Sequence, residues 1–294
     1  MTGGHPFDWH LPLVGLVAVA ALVAAFTWAT RRPGYGATAH QRRCFWGGAL
    51  VLLVAVAWPL GDLAANWSLL ALVVQRLLLL LAAPPLLVAG TPPALLIRLT
   101  RPAPVDALLR VAVKPVLAVA IVTVIAVGTL TTGAVSLSTR SEVARAAVQL
   151  LVLGAGFVLW APILDALPGA PRLSALGRAG YLIVQSIVPS FLCIVWIFAR
   201  RPLYPAYTHQ GTVLGMTSLL DQQLAGFLAK LSTIAVLWTV AYVIVSRAQV
   251  FSGAEEEPGT LVWSDVEREI ERADRRDRRQ PGLGPASPDD GRPE

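Results

Sequence analysis

Seven long apolar stretches, separated by shorter polar gaps, dominate the residue pattern of this chain. Each is close to the roughly 20 apolar residues that a helix needs to cross the hydrocarbon core of a bilayer. The pattern predicts membrane spans over residues 11–30, 44–60, 67–89, 111–131, 146–167, 179–199 and 223–246. We therefore expect an all-α fold, a polytopic membrane bundle of about seven transmembrane helices.

Composition and charge divide the chain into two parts. Hydrophobic residues make up 55% and charged residues 14% of the sequence, which excludes a soluble single-core protein. Residues 1–247 are predicted to form the membrane domain, with a net charge of +11, and residues 248–294 a charged cytoplasmic tail, with a net charge of −5. In the tail, i,i+4 charge pairs predict a short helix over 262–279, and the remainder is expected to be disordered.

Arginines gather in alternate gaps between the apolar stretches. The gaps over 31–43, 98–114 and 172–178 are basic, whereas the intervening gaps are poor in cations except for Arg200 and Arg201. Because cytoplasmic loops carry an excess of Lys and Arg, this pattern places the N-terminus outside and the C-terminus inside. The basic loops suit an anionic lipid leaflet, so the expected partner is the lipid bilayer and no nucleic acid is required.

Candidate catalytic and metal-binding groups are scarce. The two cysteines, Cys44 and Cys193, form no CxxC pair, and no P-loop, nucleophile-elbow or zincin string occurs. The histidines all lie outside the predicted spans, at His5, His10, His40 and His209. We therefore expect a protein that is not an enzyme and that has no cofactor, with copper binding only weakly supported.

Two cations fall inside predicted spans. Arg76 lies in the middle of the third span and Lys230 two turns into the last. A charge at mid-bilayer costs a few kcal/mol, so it should face the bundle interior and have a partner. The acidic candidates are Asp62, Asp165 and Asp221. Two interpretations of Arg76 remain open: a structural arginine bound to main-chain carbonyls, or part of a path for a substrate or cofactor.

Prolines and a polar string predict local features of the helices. Pro84 and Pro85 are expected to kink or half-break the third span, and Pro162 and Pro189 to bend the fifth and sixth. At the start of the last span we expect Asp221 to cap its own helix, since a carboxylate accepts from orphan N–H groups. The neighbouring residues are expected to bond across helices (Gln222, Gln223) and to let another helix approach closely (Gly226).

Several of these strings occur in an order typical of one family. They are Gln75 with its leucine run, Pro84-Pro85, Trp160 with Pro162, Tyr204 with Tyr207, and Asp221-Gln222-Gln223-Leu224-Ala225-Gly226. In combination, over about residues 58–247, they resemble the CtaG family of caa3-type cytochrome c oxidase assembly proteins. The resemblance implies a seven-span membrane protein that helps to deliver copper to the catalytic subunit of the oxidase.

The chain departs from the family at the positions where metal ligands are expected. By the motif, a histidine pair of the third span falls on Leu72 and Arg76, and a second pair falls on the stretch 145–149, which has no histidine. After the Asp-Gln-Gln string the family continues with Met-Trp, where this chain has Ala229-Lys230. The resemblance therefore implies a divergent assembly factor, a scaffold for oxidase biogenesis with a degenerate copper site, whose partner is a haem-copper oxidase subunit.

A function of another class stays open. Arg76 and Lys230 are also compatible with a membrane channel or carrier for a small anion, lined by these two buried cations. The sequence shows no clear inverted repeat of interrupted helices, which weighs against a secondary transporter.

Overall fold

The computed structural model of the chain describes residues 12–103, 106–107, 109, 114–164, 173–208, 215–255, 267 and 270–272. The chain separates into two compact units, residues 1–245 and 246–294. The described residues form helices joined by turns and bends, with no strand among them, so the all-α prediction is confirmed. Within the predicted tail helix over 262–279, residues 267 and 270–272 are described and are helical. The rest of that helix lies outside the described residues, as do His5, His10, Asp165 and His209.

The helices follow one another along the chain. They are α1 (Leu13–Thr30), α2 (Ala39–Val56), α3 (Leu60–Asn66), α4 (Leu69–Leu77), a π-helical turn (Leu78–Ala82), α5 (Ala83–Gly90), α6 (Pro93–Thr100), α7 (Pro115–Gly128), α8 (Thr132–Arg140), α9 (Glu142–Trp160), α10 (Ala175–Ile187), α11 (Ser190–Ile197), α12 (Pro205–Thr208) and α13 (Ser218–Glu255).

Five segments of the described chain are long and apolar enough to cross a membrane, and two bent helix pairs raise this number to as many as seven. The five are Leu13–Thr30, Leu69–Gly90, Glu142–Trp160, Ala175–Ile197 and Ser218–Gln249. The α2–α3 pair bends by 40° and the α7–α8 pair by 62°. The prediction of membrane-spanning helices is confirmed at this level, whereas the orientation in the bilayer stays a prediction.

Two helices begin earlier than the apolar pattern predicts. Helix α2 starts at Ala39, before the predicted residue 44, because Thr38 and Gln41 form a reciprocal capping box. Helix α13 starts at Ser218, before the predicted residue 223, and the hydroxyl of Thr217 accepts from the main-chain N–H of Leu220 at 3.3 Å. Polar side chains, and not the first apolar residue, therefore set these boundaries.

The third span runs as one helical segment through its two prolines, so it is not half-broken, and the irregularity expected there takes the form of a π-helical turn. A π-helical turn precedes α5, and Pro84 and Pro85 lie in the first turn of that helix. Because Pro84 has no N–H to offer the Leu80 carbonyl, another donor must satisfy it. The indole Nε1 of Trp160 does so at 3.2 Å.

The other two prolines lie at helix ends. Helix α9 ends at Trp160, so Pro162 lies in the turn that follows and does not bend the span as predicted. Pro189 separates α10 from α11, as expected for a bend in the sixth span.

Buried apolar side chains join the later spans to the third. One cluster brings Leu81 together with Val122 of α7, Leu159 of α9, Leu182 of α10 and Leu237 of α13. Helix α1 is more peripheral, since Phe26 is its only buried residue. The ring of Phe26 stacks on that of Phe45 in α2, with centroids 3.5 Å apart.

Candidate functional site

Asp221 caps a helix other than its own. Its carboxylate accepts from the hydroxyl of Ser68 at 2.6 Å and from the main-chain N–H groups of Leu69 at 2.7 Å and Leu70 at 3.4 Å. These groups open α4, so the prediction that Asp221 caps the last span is wrong. Thr217 lies at the start of α13 instead and accepts from its first turn.

The cap of α4 combines a local residue with a distant one. The hydroxyl of Ser68 accepts from the main-chain N–H of Ala71 at 3.1 Å, as a serine N-cap does. Asp221 adds a negative charge next to the positive end of the helix dipole. Both residues are buried, with 4% of Ser68 and 7% of Asp221 exposed. The third span and the last are thereby joined at what we call the Asp221 end of the bundle.

The two glutamines after Asp221 hold the segment that follows α11. The amide oxygen of Gln222 accepts from the main-chain N–H of Leu203 at 2.7 Å. The amide nitrogen of Gln223 donates to the carbonyl of Ala199 at 3.2 Å. Both side chains bond outside their own helix, but to a non-helical segment and not across to another helix as expected.

Two tyrosines of the same segment donate to distant carbonyls. Tyr204 donates to Leu130 at 2.5 Å, and Tyr207 donates to Ala64 at 2.8 Å. Burial raises the pKa of Tyr204 to about 12 and raises that of Tyr207 as well. Both phenols therefore keep the donated proton at neutral pH.

Gly226 permits the close approach of helices that the sequence predicted. A Cβ atom placed on it would lie 2.9 Å from the carbonyl oxygen of Cys193 and 3.0 Å from Cβ of Trp196. Both atoms belong to α11, so α11 and α13 pack with almost no space between them at this point.

Gln75 and Arg76 link the third span to two different helices. The amide nitrogen of Gln75 donates to the carbonyl of Ala55 in α2 at 2.6 Å. Nη1 of Arg76 donates to the carbonyl of Val148 in α9 at 3.3 Å. Of the two interpretations of Arg76, binding to a main-chain carbonyl is thus observed. The guanidinium group is only partly hydrogen-bonded, however, because Nε of Arg76 is buried and has no hydrogen-bond partner.

Arg76 borders two cavities. An apolar cavity of about 90 Å³ lies towards α7, α10 and α13, and a smaller one of about 10 Å³ lies towards α3, α8 and α12. Lys230 is half-buried and lines neither of them, so the structure does not place the two predicted cations along one path. Gln185, which the sequence reasoning missed, lines the larger cavity, and its buried amide oxygen has no hydrogen-bond partner.

Comparison with known proteins decides the family. A family model described as cytochrome c oxidase caa3 assembly factor (Caa3_CtaG) matches residues 21–249. The chain belongs to the CtaG family. Comparison with curated proteins and with solved structures found no match. The matched region includes every motif residue described above, and CtaG membership together with the apolar helices indicates a multi-pass membrane protein.

The positions where CtaG ligands are expected meet in space, but their side chains do not suit a metal ion. Leu72 and Arg76 of the third span and Arg145 of the fifth line the same small cavity. The leucine side chain has no atom that can ligate a metal. A guanidinium group is positively charged, donates hydrogen bonds and has no free lone pair for a metal ion. These positions therefore offer no fitting ligands for a metal ion.

Soft metal ligands elsewhere are few. The described part of the chain contains no group of three or more His, Cys, Asp or Glu side chains that would hold a metal ion. His40 and Cys44 form a pair of potential metal ligands in the first turns of α2, with the sulfur of Cys44 3.8 Å from either ring nitrogen of His40. Two ligands on one exposed helix face make an incomplete site.

Proposed function

We propose that this CtaG-family protein assists the assembly of a haem-copper oxidase by holding one of its subunits in the cell membrane, without ligating copper inside the bundle. The observation that carries the proposal is the single cavity shared by Leu72, Arg76 and Arg145. Family membership supports the role in assembly, and the side chains at the ligand positions support the absence of copper transfer. The role requires no catalysis.

The retained motif residues support a scaffold role. Main-chain groups of other segments donate to Asp221 and Gln222 and accept from Tyr204 and Tyr207. The amide nitrogen of Gln222 is buried without a hydrogen-bond partner. Buried polar groups that are hydrogen-bonded in this way fix the relative positions of helices. The sequence thus keeps the framework of the bundle while the ligand positions have changed.

The test of the assembly role is a deletion of the gene in its native cell. We expect less assembled haem-copper oxidase, measured by the haem spectrum of membranes and by oxygen consumption, with recovery when the intact gene is returned. Excess copper in the medium should not restore the oxidase, because the lost function is to hold a subunit. Recovery by copper alone would point to copper delivery, and unchanged oxidase levels would contradict the assembly role.

The proposal that the bundle ligates no copper is tested by the copper content of the purified protein after loading with Cu(I) and washing. We expect no stoichiometric copper on the unmodified chain and a gain on the double variant Leu72→His, Arg76→His, which places two imidazoles one helical turn apart. The variant Cys44→Ser removes any contribution of the His40–Cys44 pair. Stoichiometric copper that survives this substitution would overturn the proposal.

A further inference from the structure

A small cavity lies at the Asp221 end of the bundle, between α3, α4, α8, α9 and α12. The polar residues that line it are Gln75, Arg76, Ser138, Thr139, Arg145 and Tyr207. Its volume of about 10 Å³ is close to the minimum that a water-sized particle needs. Only a single water molecule or a monatomic ion fits such a space.

Positive charge surrounds this cavity without a carboxylate to balance it. Arg76 and Arg145 both line it, and no Asp or Glu does among the residues that the structure describes. The side chain of Arg76 is 7% exposed and has one hydrogen bond, to a carbonyl on α9 one turn beyond Arg145. The carboxylate of Asp221 already accepts from the first main-chain N–H group of α4. A buried guanidinium of this kind is costly unless a counter-charge accompanies it.

The hydroxyl groups of the cavity wall are already used as donors. Ser138 donates to the carbonyl of Ala134 at 2.9 Å, and Thr139 to that of Ser136 at 2.9 Å. Tyr207 donates to Ala64. Nη1 of Arg76 donates to a carbonyl on α9, whereas its Nε is buried and has no hydrogen-bond partner. The hydroxyl oxygens of the wall can still accept hydrogen bonds, but none of them carries the negative charge that would balance a buried guanidinium.

A larger polar cavity adjoins the small one. Thr139 and Arg145 also line a larger cavity of about 320 Å³, whose wall includes Asp62, Arg140 and Glu142. The two cavities are therefore neighbours, with the half-buried Arg145 between them. Arg145 therefore borders both cavities, and Arg76 borders only the smaller of these two.

We propose that Arg76 and Arg145 together bind one halide-sized anion in the small cavity. The anion supplies the negative charge that the described side chains of the cavity wall lack. The proposed anion site includes the positions where the family's metal ligands are expected. Arginine side chains at these positions favour an anion over a metal cation. The proposal does not depend on the oxidase partner, and either can fail while the other stands.

The experiment uses the full chain, purified in detergent, with chloride exchanged for gluconate at constant ionic strength and pH. Gluconate is too large for the cavity, so it serves as the inert anion. We expect the midpoint of thermal unfolding to rise with chloride until it saturates, because a ligand that binds only the folded state stabilises it. Chloride should also show a broadened ³⁵Cl resonance in the presence of the protein, narrowed again by added bromide.

Matched arginine variants locate the site. Arg145→Gln and Arg76→Gln should each lose the chloride-dependent rise and the ³⁵Cl broadening. Arg140→Gln removes an arginine that lines the larger cavity but not the smaller one, and it should keep both. Should Arg76→Gln fail to fold, Arg145→Gln still decides, since its side chain is only half-buried. Equal midpoints in chloride and gluconate, or a chloride effect that persists in Arg145→Gln, would overturn the proposal and leave water as the occupant.

Discussion

Asp221 and Ser68 lie 153 residues apart in the sequence and are joined by a hydrogen bond of 2.6 Å. The same carboxylate also receives the main-chain N–H of Leu69. The end of the third span is thereby fixed by a residue of the last span. This contact positions the whole of α4, including Gln75 and Arg76, relative to the remainder of the bundle.

Replacement of Asp221 by alanine should destabilise the protein by about 2–3 kcal/mol, because it removes a charged acceptor and leaves buried donors of α4 without a partner. The measurement is unfolding of the purified protein by heat or denaturant. Glu142→Gln is the control, since Glu142 is an exposed acid in the first turn of α9. Equal effects of the two substitutions would show that the cap of α4 does not depend on Asp221.

Trp160→Phe should lower the free energy of unfolding by about 1–2 kcal/mol, because it leaves the carbonyl of Leu80 without a donor beside Pro84. Trp46→Phe makes the same chemical change at a tryptophan that is 52% exposed and should have little effect. The comparison of the two variants by thermal unfolding isolates the hydrogen bond. If both variants unfold like the unmodified protein, the hydrogen bond from the indole to the Leu80 carbonyl does not stabilise the π-helical turn.

Gly226→Ala should destabilise the protein by about 1–2 kcal/mol, because the added methyl group overpacks the contact between α11 and α13. Gly180→Ala is the matched control, since nothing lies within 4 Å of a Cβ atom at that helical position. There the higher helix propensity of alanine should stabilise by up to about 1 kcal/mol. Opposite signs of the two changes in unfolding free energy are expected, and a shared sign would contradict the close packing at Gly226.

Tyr204 should make stability depend on pH in the alkaline range. Burial raises its pKa in the folded protein to about 12, against an ordinary value of 10.0. The folded state therefore holds the phenolic proton more tightly than the unfolded state. Its contribution is fully present below pH 10.0 and is lost as the pH rises towards about 12. Thermal unfolding across this range should show a smaller slope in Tyr204→Phe, and an identical slope would contradict the assignment.

The sequence alone was sufficient for the helical class, for the places of the apolar segments and for the family. Span length and apolar composition are local properties, and the match over residues 21–249 agrees with the resemblance read from the motif strings. The same reasoning identified Gln75, Tyr204 and Gln222 as polar groups of interest, because polar residues are conspicuous against an apolar background.

Only the tertiary structure decided which partner each polar side chain takes. Asp221 is able to cap its own helix or another one, and packing of the last span beside the third brings it to Ser68 instead. The prolines of the third span predicted a kink or half-break, because a missing N–H donor is a local property of the sequence. Trp160, which donates to the Leu80 carbonyl instead, belongs to another helix. Arg145 became part of the candidate site for the same reason: a contact between distant segments has no trace in local pattern and depends on how the helices pack.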